Sequence, residues 1–65
     1  MFSYTPLFTL LVQKGMTKTQ LREVTGIGTN TLAKMSKGEY VAMEVLDKIC
    51  TSLDCNIEDV IKHQP

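Results

Sequence analysis

Tryptophan is missing altogether, aromatics make up 6% of the 65 residues, and there are only two cysteines, two prolines and one histidine. Each shortage closes off a class of protein. Cys50 and Cys55 are too few for the disulfide framework that holds small secreted domains together. With His63 they still fall short of the four ligands that close a structural zinc site, so no metal is expected. Cys50 lies on an apolar helical stripe, where a free cysteine serves as a small hydrophobe. No apolar run approaches the ~18 residues that cross a bilayer. The apolar opening Met1 to Val12 lacks the basic start and small-residue cleavage site of a secretory signal. A cytoplasmic protein with reduced thiols is therefore expected. His63 has no nucleophile near it in sequence, and there is no glycine-rich phosphate loop. A chain this short encloses no conventional substrate pocket. Neither catalysis nor a cofactor is expected.

Net charge is also absent, but its distribution is not even. From Met1 to Lys37, Lys14, Lys18, Arg22, Lys34 and Lys37 face only Glu23, a balance of +4. From Gly38 to Pro65, Lys48 and Lys62 face Glu39, Glu44, Asp47, Asp54, Glu58 and Asp59, a balance of −4. Such asymmetry between halves points to a nucleic-acid face on the basic half.

The chain has no repeats, linkers or period-2 alternation, and reads as one domain, residues 1–65, of five short helices. The first is expected to open with Thr5 as its cap and Pro6 as its first residue, and to stop at Gly15. Thr17 and Gln20 fit a reciprocal capping box opening the second helix, with Met16 stapling against Leu21. Leu21 and Val24 form its expected buried stripe, and Gly26 ends it with a positive φ. The third runs from about Gly28 to Ser36 with Leu32 and Met35 inward, and Lys37-Gly38 stops it. The fourth, from about Met43 to Leu53, shows the cleanest periodicity, with Val45, Leu46, Ile49, Cys50 and Leu53 at helical spacing. A fifth helix of one or two turns follows Asn56 with Ile57, Val60 and Ile61 inward, and the tail from His63 is expected to fray.

Residues 17–37 carry the functional information. Two short helices meet at a tight glycine turn, with Leu21, Val24, Ile27, Leu32 and Met35 where a helix-turn-helix needs its shared core. That core sets a steep angle and pushes the second helix off the body of the domain. A helix ~10–12 Å wide fits the ~12 Å major groove of B-DNA.

Beyond this pattern the chain resembles the Cro/lambda-repressor-type (Xre-like) helix-turn-helix regulators, and within them a branch of very short bacterial and phage members. The resemblance spans nearly the whole chain and rests on SYTPLFTLLVQKGMTKTQLREVTGI, TLAKMSKGE and VLDKICTSLDCNIEDVI. It implies a compact, all-α, five-helix lambda-repressor-like domain with helices two and three as the DNA-binding pair. It further implies that Gly28, Thr29, Asn30, Ala33 and Lys34 face the bases. Thr17, Lys18, Thr31 and Lys37 are implied to meet phosphates. Asn suits adenine, Thr a thymine methyl and Lys guanine, while phosphate contacts set orientation. Two positions depart from the wider family. Arg22 stands where a small residue is usual and has to snorkel outward. Gly28 replaces the usual Ser or Thr cap of the recognition helix.

The function expected is a sequence-specific transcriptional regulator, a repressor acting as a homodimer on palindromic double-stranded DNA. Helix five and the apolar N-terminus (Phe2, Tyr4, Phe8) are the candidate dimer surfaces. The competing reading is a protein-interaction module that modulates another regulator without touching DNA. Salt-dependent DNA affinity separates the two.

Overall fold

The computed structural model describes residues 1–65. Its elements are β1 (Phe2–Ser3), α1 (Thr5–Lys14), α2 (Lys18–Thr25), α3 (Thr29–Ser36), α4 (Met43–Leu53), a 3₁₀ turn (Ile57–Asp59) and β2 (Lys62–His63). No helix is long and apolar enough to cross a membrane.

Local chemistry accounts for the helix ends. At α2 the Gln20 amide donates to Thr17 Oγ1 at 3.1 Å, while the Thr17 amide donates to Gln20 Oε1 at 2.8 Å, closing the capping box. Gly15 and Gly26 end α1 and α2 in the left-handed region, at φ 68° and 75°. α1 starts one residue earlier than its sequence suggests. Tyr4 takes the cap position and Ser3, rather than Thr5, supplies the oxygen: Ser3 Oγ accepts from the Thr5 amide at 3.2 Å. α4 occupies the span its periodicity indicates and closes with Asp54 at φ 50°. There the Cys55 amide donates to the Cys50 carbonyl at 3.0 Å.

The core is a single cluster. Leu7 and Leu11 come from α1, Leu21 from α2, Leu32 and Met35 from α3, and Leu46, Ile49 and Leu53 from α4. Tyr4, Ile27 and Val60 join from the connections, and no polar or charged residue is fully buried. Tyr4 reaches across to the α3–α4 connection, where its hydroxyl donates to the Glu39 carbonyl at 2.7 Å.

Two expectations fail at the C-terminus. There are four α-helices, not five. The segment after Asn56 makes one 3₁₀ turn because Val60, wholly buried, must plug the core while its carbonyl accepts from the Leu7 amide at 3.3 Å. That bond gives one of α1's first amides an acceptor, and it draws the chain away before a further turn forms. The tail does not fray. His63 pairs with Phe2 and Lys62 with Ser3 in an antiparallel ribbon, the Phe2 and His63 rings 5.3 Å apart.

A third failure is Val24, which is 53% exposed. The inner stripe of α2 runs from Leu21 to the half-buried Thr25, four residues on. Threonine is tolerated there because its hydroxyl donates to the Leu21 carbonyl at 2.6 Å and accepts from the Ile27 amide at 3.4 Å. Val24 contributes its carbonyl instead, which accepts from Ser52 Oγ of α4 at 3.2 Å.

Candidate nucleic-acid interface

α2 and α3 are joined by residues 26–28. Ile27, 7% exposed, shares the common core with buried Leu21, Leu32 and Met35. With Leu32 and Met35 inward, helical spacing sends Thr29, Asn30, Ala33 and Lys34 to the opposite face, and all four are exposed. Gly28 is exposed at the α3 cap, with φ −78° and ψ 162°. Thr31 is half-buried at the edge of this face.

The backbone of this face is open to an acceptor. Gly28 has no side chain to cap α3, so the amides of Thr29, Asn30 and Thr31 have no partner in the protein. The first satisfied amide is that of Leu32, which donates to the Gly28 carbonyl at 3.1 Å. At α2 the capping box occupies Thr17 and Gln20 but leaves the Lys18 and Thr19 amides free. Two helix starts therefore present unpaired donors at the positive ends of their dipoles, the arrangement that favours phosphate. Thr19 carries no signal in its side chain. Its amide becomes a candidate only once the capping box is seen to stop short of it.

The cations divide into two kinds. Lys34 and Lys37 are exposed and form no ion pair, since the one salt bridge in the molecule joins Lys48 to Glu44 at 3.6 Å on α4. Lys18 is tethered. Its Nζ donates to Ser36 Oγ at 3.2 Å and lies 4.8 Å above the Phe8 ring, tying the start of α2 to the end of α3 and to α1. One of three ammonium donors is thus used, and two remain. Thr17 keeps an exposed hydroxyl, but its oxygen already serves Gln20. Arg22 does not snorkel completely: it is half-buried, and its Nε is buried without a partner.

The remaining polar groups assemble no reactive site. No three of the His, Cys, Asp and Glu side chains cluster as metal ligands would. Cys50 and Cys55 are free and half-buried, and burial together with the neighbouring Cys50 raises the pKa of the Cys55 thiol.

An exposed recognition-type helix, braced by a glycine turn and carrying open amides and unpaired lysines, is the geometry of a DNA-reading helix-turn-helix. Residues 7–65 match the Cro/C1-type helix-turn-helix DNA-binding domain. The chain belongs to that family. No curated protein sequence matches it. Among solved structures it is similar to the crystal structure of the transcriptional regulator VanUg, with 41% identity and a TM-score of 0.94 over 98% of this chain and 85% of that one.

Proposed function

We propose that this Cro/C1-type domain is a sequence-specific repressor that inserts α3 into the major groove and acts as a homodimer on double-stranded DNA. The observation that carries the reading is the outer face of α3. There Thr29, Asn30, Ala33 and Lys34 stand exposed above three amides that have no internal partner. Asn30 and Lys34 offer the hydrogen bonds that distinguish adenine and guanine, and Thr29 and Ala33 suit a thymine methyl. Gly28 puts no side chain between the α3 cap and an approaching strand, and the space beside it is open. The Lys18 and Thr19 amides, with Lys18 and Thr17, flank one phosphate strand; Thr31 and Lys37 flank the other. An eight-residue helix reads a short stretch, so pairing two copies with α3 helices ~34 Å apart supplies the specificity one copy lacks. The solved relative, a transcriptional regulator, supports the same reading.

Fluorescence anisotropy with a mixed-sequence duplex across a salt series tests it. Affinity that falls steeply with salt is expected, with Lys37→Ala reducing the logarithmic slope by about 1. Salt-independent or absent binding points instead to a protein-interaction module.

A further inference from the structure

On the side of the domain reached by the α3–α4 connection lies a depression of about 180 Å³ lined by apolar residues alone, among them Phe2, Tyr40, Val41, Met43 and Ile61. Large apolar side chains stand open around it: Phe2 is 40% exposed, Tyr40 68% and Met43 72%. The Phe2 and Tyr40 rings meet edge to face at 6.3 Å, so the rim is ordered by its own contacts. We infer that this face is where a second copy of the chain docks, placing the Phe2–Tyr40–Met43 surface of one protomer on the same surface of its partner.

The inference rests on the dimeric DNA-reading proposal and adds its interface. At roughly 200 Å² per large side chain, Phe2, Tyr40 and Met43 hold about 350 Å² of open surface, and the exposed parts of Val41 and Ile61 add to it. One side of a standard interface contributes about 800 Å², a little over half of it apolar, or about 450 Å². The patch thus supplies most of the apolar centre such a dimer needs.

Helices ~34 Å apart put the two-fold axis about 17 Å from each α3. The molecule measures 31 × 23 × 18 Å, so the axis must lie beside α3 at a flank of the domain. Tyr40 meets that requirement, because it shares a surface depression with Lys34 of α3. The lining carries no charge, and the residues next to it in sequence carry both signs: Glu39 beside Tyr40, Glu44 beside Met43, Lys62 beside Ile61. An isologous contact can set the Lys62 of one copy against a glutamate of the other. Of the sequence-based candidates, Phe2 and Ile61 lie in this patch, while Tyr4 is buried and Phe8 is covered by Lys18.

Sedimentation of the full chain, from low micromolar to near-millimolar concentration, tests this surface against Met43→Glu and Tyr40→Ser. Met43 is the first residue of α4, where an acid suits the helix dipole, so the variant keeps its fold. The wild-type chain is expected to dimerise, and each substitution to weaken association at least about tenfold with an unchanged circular dichroism spectrum. A wild-type chain that stays monomeric throughout overturns the inference, and so does a dimer that survives both substitutions. DNA titration of the same samples separates the two proposals. If association depends on Met43 but no α3 amide responds to DNA, the DNA reading fails and the interface stands.

Discussion

Replacing Gly28 with serine is expected to stabilise the domain. The residue sits at the α3 cap with φ −78° and ψ 162°, a conformation open to any residue, and a Cβ there meets nothing within 4 Å. A serine hydroxyl at this position reaches the free amides of Asn30 or Thr31. Ser exceeds Gly as a cap by only a few tenths of a kcal/mol, and loss of glycine's unfolded-state freedom adds about 0.4–1 kcal/mol. The total is about 0.7–1.3 kcal/mol. For a domain of this size that corresponds to a rise in melting temperature of about 5–9 °C. Gly28→Ala is the control. It gives the same entropic gain but is a poorer cap than glycine, so it should melt near the wild type. Thermal unfolding followed by circular dichroism measures all three. A Ser variant that melts no higher than the Ala variant refutes the claim that the first amides of α3 are open, and removes the backbone donors from the candidate site.

Val24→Lys should change stability by less than about 0.5 kcal/mol, while Leu21→Ala, one turn earlier and wholly buried, should cost about 2–5 kcal/mol in urea unfolding. Tyr4→Phe deletes the bond to the Glu39 carbonyl and should cost about 1 kcal/mol in the same assay, loosening the α3–α4 connection. Lys34→Ala should narrow the affinity gap between a selected operator and random DNA, whereas Lys37→Ala should weaken both alike, read by competition binding. The raised pKa of Cys55 leaves less thiolate at neutral pH, so its alkylation by iodoacetamide at pH 7 should be slower than that of free cysteine and should speed up on unfolding.

Legibility in the sequence followed the range of the interactions. The α4 stripe of Leu46, Ile49 and Leu53 and the Thr17–Gln20 box are set by residues three to four apart, and both appear where the pattern places them. The outward face of α3 was readable for the same reason, because Leu32 and Met35 fix its rotation. What was hidden depends on distant partners. A strand of two residues has no room for alternation, so nothing local announces that Phe2 meets His63. Tyr4 looked like surface until Glu39, thirty-five residues away, supplied a carbonyl for its hydroxyl. Val24 looked like core because valine is apolar. Thr25 occupies that place through a hydrogen bond to a carbonyl one turn back. Val60 was expected in the core, but the bond from the distant Leu7 amide to its carbonyl, which draws the chain away after one turn, leaves no local trace.

The central claim, that α3 and the start of α2 form a DNA-reading face, is tested most directly by titrating ¹⁵N-labelled protein with a mixed-sequence duplex of ~20–30 bp at low salt and again at ~150 mM. The amides of Lys18, Thr19, Gly28 to Lys34 and Lys37 are predicted to shift, and to shift less at the higher salt. Amides that stay still at low salt, or shifts confined to the acidic α4 and C-terminal half, would contradict it.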